Sequence, residues 1–127
     1  MSDQHLFSEH REIKRIPNKI LYDFYDLSSF PDTFRLGPGH EKFFVNKLGF
    51  LYDRAVLIEE ELERRNISHT SYLLAYRNAA LYRPDLFRYW HPSEEDIDLS
   101  RSRIRERLRD NPGFHTWSNG EKWQTSL

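Results

Sequence analysis

Cysteine is absent from the 127-residue sequence, and this absence excludes several classes of protein. Without thiols there is no disulfide framework, no cysteine nucleophile and no cysteine-ligated zinc or iron–sulfur site. Long apolar runs are also missing, so no stretch of about 18 apolar residues predicts a membrane-spanning helix. The first residues, MSDQH, are polar and do not form a secretory signal pattern. A reducing cytosol is compatible with the lack of cysteine, and we expect no membrane contact.

A large excess of either charge is missing as well. The sequence has 19 basic and 20 acidic residues, for a net charge of −1. This balance argues against a protein held to nucleic acid by bulk charge. The charges are nevertheless sorted along the chain, since residues 93–98 (SEEDID) contain four acids and residues 101–109 (RSRIRERLR) contain five arginines. Local charged patches are therefore expected on a nearly neutral protein.

The residues that are present suffice for one hydrophobic core. Aromatic residues make up 15% of the sequence, charged residues 31%, and the mean hydropathy is −0.81. This composition is typical of a water-soluble globular protein. The length predicts a single domain over residues 1–127, with a C-terminal tail over about 113–127.

The first half of the chain contains two predicted helices. Residues 3–15 form the first, with Ser2 or the following Asp as N-terminal cap, and Pro17 is expected to end or kink it. Residues 40–65 form the second, which has the most regular spacing of apolar residues in the sequence. Asn66 is expected to end this central helix.

The second half contains two more predicted helices. Residues 71–83 form the third, which Pro84 ends, and the fourth follows Pro92 with Ser93 as its cap. The Asn-Pro-Gly sequence at 111–113 is expected to stop the fourth helix.

Apolar residues fall on one side of three predicted helices, which predicts an all-α bundle of three to four helices. Along the first helix and the residues that follow it, those expected to be buried are Leu6, Ile13, Ile16, Ile20 and Phe24. On the second helix they are Phe44, Leu48, Leu51, Ala55, Ile58 and Leu62. On the fourth helix they are Ile97, Ile104 and Leu108.

The opposite side of the first helix carries a polar strip that has two interpretations. Its members, spaced by three or four positions, are Gln4, His5, Ser8, Arg11, Glu12 and Arg15. A carboxylate between arginines, such as that of Glu12, is suited to stabilising a developing cation. The simpler interpretation is a solvated helix face with local ion pairs. The arginines at 101–109 likewise suit either a phosphate backbone or a solvated face.

Metal and phosphate-loop patterns are weak. His5 and Glu9 are suitably spaced to share a metal ion, but no third ligand completes the pattern, so we expect no metal and no other cofactor. The Gly-Pro-Gly sequence at 37–39 precedes the second helix but lacks the lysine and the strand of a phosphate-binding loop. We therefore expect this segment to be a plain loop within a longer loop over 28–39.

Three separated blocks of the sequence carry a family resemblance. They are DQHLFSEHREIKR at 3–15, FRLGPGHEKFFVNKLGFL at 34–51 and HPSEEDIDLSRSRIRERLRDNP at 91–112. In this order the blocks resemble the phage endonuclease V family, the pyrimidine-dimer DNA glycosylases, and they cover nearly half of the chain. The resemblance implies the compact helical fold of that family, which agrees with the all-α prediction.

The resemblance also implies a small, cofactor-free DNA-repair enzyme. Such enzymes cut the glycosidic bond of the 5′ base of a cyclobutane pyrimidine dimer in double-stranded DNA and then nick the abasic site. An N-terminal α-amine attacks the anomeric carbon and forms an imine, while a glutamate stabilises the cationic intermediates. A cytoplasmic location in a bacterial or phage-infected cell follows from the same resemblance.

The family's functional residues can be matched to positions of this sequence. Glu12 matches the catalytic glutamate. The positions that match DNA-binding residues are Gln4, His5, Arg11, Arg15, His40, Arg103 and Arg107. Phe114 and Trp117 lie where the family has its C-terminal aromatic cluster.

The chain departs from the family pattern at its start. In the family a further segment precedes the Asp-Gln-His motif and carries the nucleophilic amine, whereas here the motif begins at Asp3. Along one helix Ser2 and Glu12 would be about 15 Å apart, which is too far for direct contact. Lys14 would point away from Glu12. The true start lies upstream, or the protein binds without cutting, or a second chain supplies the amine.

Two functions stay open at this point. The first is a pyrimidine-dimer glycosylase with abasic-site lyase activity. The alternative is a non-catalytic family descendant that binds or sequesters a nucleotide, a nucleotide-derived signal or DNA in the same pocket. The sequence leaves the oligomeric state open.

Overall fold

The computed structural model describes residues 1–27, 30–31, 33–34, 36 and 40–118. In these residues it contains no strand and the six α-helices α1 (Asp3–Ile13), α2 (Arg15–Leu21), α3 (His40–Phe44), α4 (Leu48–Arg64), α5 (Leu73–Tyr82) and α6 (Glu94–Asp110). The all-α prediction is therefore confirmed. No described helix is long and apolar enough to cross a membrane. The predicted loop at 37–39 and the end of the tail, 119–127, lie outside the described residues.

The first predicted helix is capped as expected and breaks near Pro17. The Ser2 hydroxyl accepts a hydrogen bond from the backbone N–H of His5 at 3.2 Å, which caps α1. Pro17 has no N–H to donate to the carbonyl of Ile13, and the Tyr76 hydroxyl donates to that carbonyl instead, at 2.5 Å. The kink expected at Pro17 thus separates α1 from α2 and is held by α5.

The prediction of one unbroken helix over 40–65 was wrong, because α4 begins anew at Leu48. The backbone N–H groups of Gly49 and Phe50 donate to the carbonyl of Arg88 at 3.0 and 3.3 Å. A Cβ at Gly49 would lie 2.9 Å from that carbonyl oxygen, so this close approach needs glycine. The expected end is confirmed, since Asn66 follows the helix with a left-handed φ of 58°.

The remaining boundaries agree with the sequence patterns. A 3₁₀ turn at Pro84–Leu86 follows α5, and a second at Pro112–Phe114 follows α6. Ser93 caps α6 in a reciprocal arrangement with Asp96, which accepts a hydrogen bond from the backbone N–H of Ser93.

The core lies where α1 packs on α4, α2 on α5, and α4 on α5. Every residue of α4 that was expected to be buried is buried. Two other expectations were wrong: Phe24 follows the end of α2 and is 70% exposed, and Ile97 on α6 is 37% exposed. Ile104, which was also expected to be buried, is half-buried. Leu108 is the one fully buried residue of α6. The helix therefore rests on the protein by its C-terminal end and presents most of its surface to solvent.

Candidate nucleic-acid interface

The segment 115–118 covers the N-terminal end of α1. The backbone N–H of Asp3 donates to the carbonyl of Thr116 at 2.7 Å. The Gln4 side chain accepts from the Thr116 backbone N–H at 2.6 Å and donates to the Thr116 hydroxyl at 3.1 Å. These bonds join residues more than 110 positions apart, and they fix the start of α1 beside the end of α6.

The side chain of Asp3 holds this junction together. Its carboxylate accepts hydrogen bonds from Arg65 at 2.9 Å, from the Thr116 hydroxyl at 2.9 Å and from the Ser118 backbone N–H at 3.1 Å. Burial would raise the pKa of Asp3, but these hydrogen bonds outweigh it and lower the pKa below its ordinary value. The pair of Asp3 and Arg65 is buried, so it belongs to the supporting structure rather than to the exposed face.

Two histidines, His5 and His115, stack on each other next to Ser2. The rings of His5 and His115 have centroids 4.6 Å apart, and the Ser2 oxygen lies 3.1 Å from Nδ1 of His5 and 2.8 Å from Nδ1 of His115. Burial lowers the pKa of His5 most, followed by the positive charges of His115, Arg107 and the N-terminal amine. Burial alone lowers the pKa of His115. The surroundings of both rings therefore favour the neutral form more than water does.

A cavity of about 310 Å³ opens beside these rings, between α1 and the C-terminal end of α6. Four predicted site residues line it: Gln4, His5, Arg107 and Phe114. Four further residues line it that were not predicted as site residues: Ser8, Asp110, Asn111 and His115. Ser8 belongs to the polar strip one turn after Gln4. His115 adjoins Phe114 in sequence, and Asp110 and Asn111 lie three and four positions after Arg107. The size is at the lower end of the range for small-ligand sites.

Glu12 and Arg11 continue the same face of α1. Glu12 is four residues after Ser8, so it lies on the same side of the helix about 6 Å further along the axis. Both side chains are exposed. Within the described part of the chain no ion pair or hydrogen bond engages either one. They are thus open to a ligand that extends from the cavity along α1.

The other predicted residues do not line this cavity. Arg15 lies 3.9 Å from the Glu41 carboxylate, at the start of α2. The His40 ring packs edge-on against Phe34 and Phe44, at centroid distances of 5.7 and 5.2 Å. Trp117 is half-buried, with its ring 6.4 Å from that of His115.

Arg103 also lies outside the cavity. It lies on the exposed part of α6 and donates a hydrogen bond to Glu106 at 3.4 Å.

No described lysine has its amine directed to Glu12 by an observed contact. The Lys14 amine lies 5.0 Å from the ring of Tyr72, which packs on the opposite side of α1. Lys42 lies over aromatic rings, and the Lys47 amine donates to the Phe43 carbonyl at 2.8 Å. The described residues also contain no cluster of three groups able to hold a metal ion.

The buried side of α1 explains why the polar strip faces outward. His10 stacks on Tyr72 and lies 3.5 Å from the buried carboxylate of Glu59, and burial lowers the pKa of His10. Glu9 forms a two-pronged ion pair with Arg54, with contacts of 2.5 and 3.0 Å. These contacts fix the rotation of α1 on α4, and on the side with the polar strip Glu12 is exposed while Gln4 and Ser8 are half-buried.

Comparison with known proteins adds one finding. The sequence model of a family described as pyrimidine dimer DNA glycosylase matches residues 1–74, which is more than half of the chain. The matched range contains α1 to α4 and therefore Glu12, Arg11 and the α1 side of the cavity. The cavity residues that belong to α6 and to the segment after it lie outside the matched range.

Proposed function

Because the chain belongs to the pyrimidine dimer DNA glycosylase family, a family of DNA-repair proteins, we propose that it removes a base from pyrimidine dimers in double-stranded DNA. The observation that carries this proposal is the continuous face formed by the cavity and the polar strip of α1. In this proposal the cavity binds nucleotide groups at the lesion, and Glu12 acts on the sugar next to the cavity. The proposal includes cleavage of the resulting abasic site.

The groups along this face suit a damaged DNA strand. Arg107 in the cavity and Arg11 on α1 supply guanidinium groups for phosphate oxygens. Phe114 is 58% exposed at the cavity wall and offers a flat surface on which a base can stack. Asn111 supplies hydrogen-bonding groups for base edges or for the sugar.

Glu12 is the residue to which we assign the chemistry. When an N-terminal amine attacks the anomeric carbon, as the family resemblance implies, the bond from that carbon to the base breaks, and the base leaves with the electron pair and takes up the proton that the amine loses. Positive charge develops on the sugar during this step, and a carboxylate facing it lowers the barrier. The exposed Glu12 carboxylate, which no described residue pairs, is available for this role.

The test compares Glu12→Gln with the wild-type chain on a duplex that contains one defined dimer. We expect the rate of base release to fall by roughly 100-fold or more, while the Kd for the same duplex changes less than about threefold. Glu63→Gln, an exposed glutamate near the end of α4, is the matched control and should retain the wild-type rate.

Two results would count against the proposal. Equal affinity of the wild-type chain for damaged and undamaged duplexes would show that the chain does not recognise the lesion. Tight binding of a free nucleotide that is recovered unchanged, with no preference for duplex DNA, would favour the non-catalytic binding function instead.

A further inference from the structure

The five arginines of α6 form two separate rows. Arg103 and Arg107 lie one turn apart on one flank, and Arg107 lines the cavity. The second row, also at four-residue spacing, consists of Arg101, Arg105 and Arg109. At 3.6 residues per turn, Arg105 lies about 60° to one side of the buried Leu108, and Arg107 lies about 100° to the other. The two rows therefore face away from each other across the helix.

The arginines of the second row form no ion pair with the described residues of the protein. All three side chains are exposed, and within residues 40–118 no carboxylate lies within ion-pair distance of any of them. Arg103, in contrast, already contacts Glu106. The three guanidinium groups start from positions about 6 Å apart along the helix, so each can reach a separate phosphate. Uncompensated like charge of this kind favours an anionic partner.

We propose that Arg101, Arg105 and Arg109 bind phosphates of the undamaged strand, while Arg107 and the cavity engage the strand that carries the lesion. This inference rests on the function proposed above. A helix is about 10–12 Å across with its side chains, which is similar to the width of the DNA major groove. A helix with arginines on both flanks can therefore contact both phosphate backbones of one duplex.

Charge and surface area favour DNA over a second copy of this chain. Residues 101–110 contain five arginines against one glutamate and one aspartate, a net charge of +3. The acidic residues 93–98 of another copy would complement this charge. However, the larger apolar side chains exposed on α6 are Ile97 and Leu99, at 37% and 43%. A stable dimer needs about 800 Å² from each partner with a hydrophobic centre, whereas phosphate binding needs no apolar surface.

The first measurement is the salt dependence of binding to a dimer-containing duplex. Each phosphate contact contributes about 0.9 to the slope of log K against log salt concentration, so the triple variant R101Q/R105Q/R109Q should lose about 2–3 units of slope. Glutamine preserves helix propensity, and circular dichroism checks that α6 is retained. The control R77Q/R83Q/R88Q removes the same net charge outside α6 and should keep the slope within about 0.5.

The second measurement assigns the strand. Neutral methylphosphonates placed in the undamaged strand should weaken wild-type binding and leave the triple variant unaffected. In the damaged strand they should weaken both proteins equally.

Each of the other outcomes has a definite meaning. A wild-type chain that does not bind duplex DNA would overturn the proposed function itself. Wild-type binding with an unchanged slope in R101Q/R105Q/R109Q would overturn this inference alone. A variant that becomes insensitive to methylphosphonates in the damaged strand would overturn the strand assignment. A wild-type dimer that the triple substitution dissociates, with an unchanged slope, would identify a second copy as the partner.

Discussion

Two helices of this protein, α4 and α6, have the same length of 17 residues, but the arginines on and next to α4 make different contacts from those on α6. The two arginines of α4 and Arg65, which caps its C-terminal end, are held by carboxylates: Arg54 by Glu9, Arg64 by Glu61, and Arg65 by both Asp3 and Glu61. On α6, one observed ion pair engages Arg103, and the described residues offer no carboxylate to the other four arginines.

The difference separates charge that supports the fold from charge that is available to a partner. Arg54 and Arg65 tie α1 to the core and thereby orient the polar strip that contains Glu12. On α6 the guanidinium groups project from a helix that is buried only at Leu108. An arginine-rich segment therefore indicates binding only after the positions of the carboxylates are known.

The largest effect is expected from breaking the supporting set at Arg65. Arg65→Ala leaves the buried carboxylate of Asp3 without its charged partner, and the free energy of unfolding should fall by about 3–5 kcal/mol. Denaturant titration measures this loss. If the variant does not fold, Arg65→Lys keeps a positive charge and should lose less stability.

The corresponding change on α6 is Arg109→Ala, which should alter stability by less than about 0.5 kcal/mol. Equal losses at Arg65 and Arg109 would contradict the division between supporting and available arginines.

The second effect concerns DNA affinity. Arg107→Gln removes the guanidinium that lines the cavity, so we expect about a tenfold weaker Kd and a salt slope reduced by about 1. Stability should be unchanged. Arg54→Gln gives the opposite pattern, with lower stability and unchanged affinity, because its partner is Glu9. Fluorescence anisotropy with a labelled duplex measures the affinities, and a larger loss of affinity in R54Q would contradict the account.

The third effect is acid lability of the supporting set. Hydrogen bonds from Arg64 and then Arg65 lower the pKa of Glu61 from 4.5 to about 2, and the pKa of Asp3 is also lowered. Carboxyls with a depressed folded-state pKa stabilise the protein above their unfolded value. This contribution, about 1 kcal/mol for Glu61, should be lost as the pH falls from about 4.5 to about 2. Glu61→Gln should flatten this part of the stability curve, and an unchanged curve would contradict the assignment.

Among the arginines that carboxylates hold, the smallest effect is expected at Arg64, where the ion pair is exposed. Its side chain is 66% exposed, and its partner Glu61 retains Arg65 when Arg64 is removed. Arg64→Ala should therefore reduce stability by less than about 1 kcal/mol, as measured by thermal unfolding. A loss as large as that of Arg65→Ala would show that exposure does not distinguish the two arginines.

Local sequence patterns predicted most of the fold. The Ser2 and Ser93 caps, the kink at Pro17 and the end of α4 before Asn66 depend on neighbouring residues, and the structure has them all. The break before Leu48 depends on the Arg88 carbonyl, about forty positions away, and no local pattern shows it. The burial of Ile97 was overestimated because helical spacing shows which side of a helix is apolar, but not whether another element covers it.

The candidate site was predictable only in part, for the same reason. The resemblance indicated Gln4, His5, Arg107 and Phe114, and the structure brings these four to one cavity. His115 was missed because its stacking on His5 depends on a contact between the two ends of the chain. Arg15 and His40 lie on α2 and α3, and their surroundings depend on the packing of those helices.

The most direct test of the central claim is to map the amide chemical shifts that change when a dimer-containing duplex is added to labelled protein. The claim is that the polar strip of α1, the C-terminal half of α6 and the segment that follows it form the DNA-binding face. We expect the changes to cluster at residues 4–12 and 101–117, with α5 unaffected. Changes concentrated on α5 and on the outer side of α4, with none along α1, would contradict the claim.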